Sequence, residues 1–156
     1  DWSSDVCSSD LVQLGALGMV IGTALLATTE SLYSLAHKAR VLSATSADPV
    51  RTAVFDQING IYGSEGFGVG VDGRALRNEI TSQEDDGVGW ESLKDEYDEA
   101  KKGDPKMDKI VVWAGECCSL LGTGGKADLG CPGVGVGSVT EAEGAEVVLR
   151  RIAAGL

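Results

Sequence analysis

Basic side chains are scarce in this chain, 13 against 24 acidic ones in 156 residues. Phosphate affinity requires clustered Lys and Arg, so a formal charge of −11 argues against a nucleic-acid partner. The same sign argues against docking on anionic lipid. Histidine occurs once, as His37, about eighty residues from the Cys117-Cys118 pair, and no CxxC spacing exists. That argues against zinc, which is held by clustered Cys and His. Cysteine is sparse too, with four residues including Cys7. Cys117 and Cys118 are adjacent, and so small a ring strains disulfide geometry. With Cys131 they make no repeated spacing, so no disulfide framework is expected and a reducing compartment such as the cytoplasm is. Length is short too. A complete (β/α)₈ barrel typically needs about 250 residues.

Glycine is abundant, 22 residues in all, and it clusters between Gly60 and Gly73 and between Gly122 and Gly137. Two long loops are expected there. Residues 1–11, Asp1-Trp2-Ser3-Ser4-Asp5-Val6-Cys7-Ser8-Ser9-Asp10-Leu11, resemble the in-frame translation of a sequencing-library adapter. They are set aside from fold reasoning. An adapter abutting coding sequence implies that the reading frame was entered mid-gene, within a longer protein.

Leu11 to Thr29 carries no charge, which raises a membrane span or a signal peptide. Against both stand Gln13, Thr23, Thr28, Thr29 and three glycines, with no basic residue ahead of the run. The preferred parse is a helix end at Val12–Leu17, a buried strand at Met19–Ile21, then a loop and a new helix. Gly-flanked apolar strands suit a parallel, doubly covered sheet. Without neighbours such a strand is expected to be left unpaired, poorly protected or used in self-association; a sheet partner within the chain, were there one, would be Ile110–Trp113, the other short apolar run.

The rest reads as mainly helical. Leu32, Leu35, Ala36, Ala39 and Leu42 form an apolar stripe over Ser31–Ala44. Asp48-Pro49 reads as an N-cap followed by Pro at the first helical position, opening a helix to Ile58 that Asn59-Gly60 ends. Arg74–Ile80 reads as a short helix, and Glu91–Lys102 as a charged one with an Asp98–Lys102 pair. Val139–Ala154 closes the chain with Ala145, Val148, Leu149 and Ile152 inward.

Most apparent motifs fail on context. Gly68-Val69-Gly70-Val71-Asp72-Gly73 spells GxGxxG, but a turn-rich loop precedes it where the fingerprint needs a strand. Gly122-Thr123-Gly124-Gly125-Lys126 lacks the Ser or Thr of a P-loop, since Ala127 follows. His37 stands beside Lys38 and Arg40 with no orienting partner, so a general-base role is not assigned. Glu84-Asp85-Asp86 lacks calcium-loop spacing. Gly18-Met19-Val20-Ile21-Gly22-Thr23 remains. A strand ending in Gly-Thr at a helix start offers backbone N–H groups to a phosphate, with Gly22 permitting close approach and Thr23 adding a hydroxyl.

That stretch, extended through Ala24-Leu25-Leu26-Ala27-Thr28-Thr29-Glu30-Ser31, resembles the "GxxxGTRFLATxES" segment of nitronate monooxygenases, formerly called 2-nitropropane dioxygenases. Three further blocks follow in order. Asp48-Pro49-Val50-Arg51-Thr52-Ala53-Val54-Phe55-Asp56 is similar to the family's "TVRTRVFD". Asp72-Gly73-Arg74-Ala75-Leu76-Arg77-Asn78 is similar to "DGRALRN". Val112-Trp113-Ala114-Gly115-Glu116-Cys117-Cys118-Ser119-Leu120-Leu121 is similar to "VYAGQGVGLI".

The resemblance implies an α/β fold, the last strand and helix of an FMN-binding (β/α)₈ TIM barrel in residues 12–47 with a mainly helical C-terminal region in 48–156. It implies FMN as cofactor, and oxidation of an alkyl nitronate by O₂ to a carbonyl compound and nitrite. Val20, Ile21, Gly22 and Thr23 are the implied flavin-phosphate contacts. The family's catalytic His is implied to lie upstream, so no catalytic residue is assigned and the chain alone is expected to be inactive. Ala24 and Leu25 replace the family's Arg and Phe, and Glu116, Cys117 and Cys118 replace Gln, Gly and Val. The alternatives are a related FMN barrel (an enoyl reductase or an NADH:quinone reductase) and a non-catalytic helical interaction fragment.

Overall fold

The computed structural model describes residues 19–63, 69–70, 73–114, 118–120, 136–137 and 139–154. The expected Val12–Leu17 helix end, the adapter-like residues 1–11, residues 64–68 and 71–72 of the first glycine window and most of the second window lie outside them. The chain divides into two compact units, one from Asp1–Asp48 with Ala114–Leu156 and the other Pro49–Trp113.

In the first unit, strand β1 (Met19–Ile21) is the apolar run between glycines that the sequence predicts. It is neither left unpaired nor part of a parallel pair as expected, and its partner is not Ile110–Trp113. β1 pairs antiparallel with β4 (Cys118–Leu120), Ile21 opposite Cys118 and Met19 opposite Leu120. Ile110–Trp113 belongs to the other unit. Helix α1 (Thr23–Leu26) follows β1 after the single residue Gly22.

Helix α2 (Leu35–Leu42) starts later than expected because the Ser34 hydroxyl caps it, accepting from the His37 amide at 3.3 Å. The stripe expected to face inward is largely exposed. Leu32 is 102% and Leu35 85% accessible, and Ala36 and Ala39 are exposed as well. Val41 is the buried residue of this helix. A polar contact sets the rotation: the Lys38 ammonium donates to the Thr28 carbonyl at 2.7 Å, which turns the 38/41 edge inward.

The last helix, α6 (Ala145–Ala154), also begins later than the expected Val139. The Glu143 carbonyl is taken by the Thr29 amide at 3.0 Å. Val148 is buried, but Leu149 is 46% exposed, against its expected inward position.

In the second unit, the expected Asp48–Ile58 helix is replaced by strand β2 (Pro49–Thr52) and a short helix α3 (Val54–Ile58). The Asp48 carboxylate turns back onto the Thr45 amide (2.6 Å) and hydroxyl (2.8 Å) instead of capping forward. Val50 and Thr52 have the β-branched shape that a pleated surface accommodates. They pair antiparallel with β3 (Gly73–Leu76), Val50 opposite Ala75 and Thr52 opposite Gly73. Gly60, at φ +71°, closes α3 in the left-handed region.

The expected Arg74–Ile80 helix is thus β3 followed by α4 (Glu79–Asp85). Asn78 starts α4 through a capping box, accepting from the Thr81 amide while Thr81 Oγ1 accepts from the Asn78 amide. Helix α5 (Trp90–Ala100) is the charged one. Asp98 pairs with Lys94 at 2.9 Å and with Lys101 at 3.1 Å, while Lys102, its expected partner, pairs with Glu99. Ile110–Trp113 runs along the free edge of β3: the Leu76 amide donates to the Val112 carbonyl at 2.9 Å, and Ala75 bridges Trp113. The core gathers Val54, Phe55 and Ile58 from α3, Ala75 from β3, Ile80 from α4, Leu93, Tyr97 and Ala100 from α5, and Ile110.

Candidate functional site

The β1–Gly22–α1 turn is built from a strand too short to be anything but a spacer and a helix that starts at once. Val20 lies opposite Ser119, and Ile21 opposite Cys118, in the β1–β4 register. Gly22 is exposed and caps α1 with φ −114°, so no left-handed conformation demands glycine there. A Cβ built on Gly22 meets nothing within 4 Å, as at Gly60, Gly70, Gly87 and Gly103. Thr23, the first residue of α1, is buried at 4% accessibility. The Leu25 amide closes the turn on the Gly22 carbonyl at 3.0 Å.

The first amides of a helix lack acceptors four residues back, but in this turn the Leu25 amide is already taken by the Gly22 carbonyl. Ala24 supplies no cation where the resembling segment carries Arg. Gly115, Glu116 and Cys117 lie outside the described residues, but the strand that follows them is β4, immediately beside β1.

The remaining sequence candidates have structural partners. His37 Nδ1 lies 2.7 Å from the Ser34 hydroxyl, and its ring meets Tyr33 edge-on at 5.1 Å. Glu84 accepts from the Thr52 hydroxyl at 2.6 Å and ties α4 to β2, while Asp85 pairs with Arg77. Among the described residues no group of three His, Cys, Asp or Glu side chains could hold a metal ion. No helix among them is long and apolar enough to cross a membrane.

Two carboxylates stand out that no spacing in the sequence marks. Glu30, just past α1, accepts the Ala145 amide at 3.0 Å. Asp56, in the first turn of α3, is only 4% exposed. Burial pushes the Asp56 carboxyl above the usual Asp range, even though a helix N-terminus favours negative charge. A raised folded-state value stabilises the fold below the ordinary Asp value, and that contribution is lost as pH rises through the raised one. Asp56→Asn should therefore raise Tm at pH 7, by about 2 °C, and the difference should vanish near pH 3. Thermal melts at both pH values check this, and a variant less stable at pH 7 would overturn it.

Comparison with protein-family models, with curated proteins and with solved structures returns no match.

Proposed function

We propose that this chain is the C-terminal portion of an FMN-dependent nitronate monooxygenase built on a (β/α)₈ barrel, with Val20, Ile21, Gly22 and Thr23 holding the flavin phosphate. The observation that carries the reading is the β1–β4 pairing. It sets Ile21, the residue before the Gly22-Thr23 turn, opposite Cys118, so that two blocks of the family pattern far apart in sequence meet. Phosphate-binding loops in such barrels lie after strands seven and eight. FMN bound there supplies the redox chemistry that turns an alkyl nitronate and O₂ into a carbonyl compound and nitrite. The residues of this chain do the holding. Backbone amides at the start of α1 face the phosphate, Gly22 leaves it room, and Thr23 fixes the turn from its buried position.

The antiparallel sense of the pairing favours a second reading. A closed barrel has parallel neighbours along each strand, and β1 has an antiparallel one. In that reading the chain is a non-catalytic interaction module.

Recovering the coding sequence upstream and expressing the whole protein separates the two. A yellow protein with one FMN per chain, consuming O₂ with an alkyl nitronate, supports the first; a colourless protein indifferent to nitronate overturns it. In the flavoprotein, Gly22→Val should weaken FMN binding more than about tenfold, because its side chain fills the space the phosphate needs. Thr23→Ala removes one hydroxyl and should cost less, about 1 kcal/mol. The opposite order in a flavin titration would remove this turn from the cofactor site.

A further inference from the structure

We infer that Glu30 is a positioning residue that clamps the C-terminal helix α6 to the segment leaving α1, so that α6 steadies the Gly22–Thr23 turn. The role assigned to the turn rests on the function proposed above; the clamp itself rests on hydrogen bonds. Ala145 is the first residue of α6, and its amide is one of the donors a helix cannot satisfy internally. The preceding residue, Gly144, has no side chain to cap it. The Glu30 carboxylate does so instead, at 3.0 Å and from 115 positions away. Gly144 fits closely against it: a Cβ there would lie 3.5 Å from Glu30 Oε1.

A second bond makes the contact two-pronged, since the Thr29 amide donates to the Glu143 carbonyl at 3.0 Å. The same short segment is tied back toward the turn. The Thr28 hydroxyl donates to the Leu25 carbonyl at 2.9 Å, and the Leu25 amide donates to the Gly22 carbonyl at 3.0 Å. Thr28 is 3% and Ala27 1% exposed, so the link runs through packed residues rather than a loose surface loop. One continuous chain of bonds thus leads from Ala145 to Gly22.

The charged surroundings favour an ionised Glu30. The Ala145 amide is the largest influence holding its carboxyl below the usual Glu range, followed by its own backbone and the Thr29 hydroxyl, with Lys38 of α2 adding attraction. From α6 and its approach, Glu146 is paired with Arg150 at 2.7 Å, and Glu143 with Arg151. Stability from a lowered carboxyl is present above the ordinary Glu value and lost as pH falls through the lowered one.

Hydrogen exchange on the full chain tests the clamp, comparing wild type with Glu30→Gln, Glu30→Ala and, as a control at an exposed ion pair of α6, Arg150→Gln. Loss of a helix cap should speed exchange at Ala145 and Val147 about tenfold in Glu30→Ala, less in Glu30→Gln, and not at all in Arg150→Gln. Positioning further requires faster exchange at the Thr29 and Leu25 amides. Protection at Ala145, after correction for intrinsic rates, should fall in acid for wild type and stay flat for Glu30→Gln. A response confined to the first turn of α6 would reduce Glu30 to a local cap and overturn the inference, as would no response. FMN added to the complete protein, extended upstream, is a separate arm, because this chain by itself is not expected to retain the flavin. Slower exchange at Thr23–Leu25 supports the flavin reading, whereas no effect alongside an intact clamp counts against that reading alone.

Discussion

Replacing Phe55 with alanine is expected to unfold the Pro49–Trp113 unit or bring it to the edge of unfolding, at a cost of about 3–5 kcal/mol. Phe55 is fully buried, and its ring meets Tyr97 at 5.5 Å and Trp113 edge-on at 5.8 Å. These contacts join α3, α5 and the run beside β3. Truncation removes the transfer energy of the ring and leaves a void whose walls are held by two antiparallel pairings and cannot collapse freely. A unit of this size has only about 3–10 kcal/mol of net stability to lose. Val147→Ala, at a residue 50% exposed, should change stability by less than about 0.5 kcal/mol. Urea titrations followed by tryptophan fluorescence compare the two, and a loss below about 1 kcal/mol for Phe55→Ala would show that the core does not depend on this ring.

How much of this was legible in the sequence depended on range. β1 was readable because three apolar residues between glycines can do little else, and Gly60 because an Asn-Gly pair after an apolar stripe ends a helix. The partner of β1, β4, was not, because Cys118-Ser119-Leu120 is only three residues long and lies far along the chain from β1, with no turn pair joining them. Asp48-Pro49 was locally a good helix start, yet Asp48 bonds Thr45 and Pro49–Thr52 pairs with β3. Strand pairing outweighed a cap that costs only about 1 kcal/mol to forgo. On α2 the apolar stripe was real but its orientation followed Lys38, whose partners at Thr28 and Thr29 lie ten and nine positions away. The Gly22-Thr23 turn was found by its local pattern. Glu30 was not, because a cap supplied from 115 positions away leaves no spacing to read.

Gly73→Val should be nearly as damaging as the loss of Phe55, for the opposite reason. A Cβ on Gly73 would lie 2.4 Å from Trp113 Cζ3 and 3.1 Å from both Cε3 and Cη2. Gly73 is not among the glycines of positive φ, so it serves close approach and not an unusual backbone. The final glycine of the failed GxGxxG pattern is thus a seat for an indole. That indole cannot step aside cheaply. It packs edge-on against Phe55, and its own backbone bridges Ala75 on the neighbouring edge of β3. Overpacking of this kind costs about 1–3 kcal/mol, with Gly73→Ala at the lower end and Gly73→Val at or above the upper. A double-mutant cycle isolates the cause. In a Trp113→Leu background the penalty of Gly73→Ala should shrink by about 1 kcal/mol or more, because the clashing edge is gone. Gly60→Ala, at φ +71° in open space, should cost about 1 kcal/mol through backbone strain and be the same in both backgrounds. Equal penalties for Gly73→Ala with and without the indole would mean that β3 itself, and not Trp113, requires the glycine.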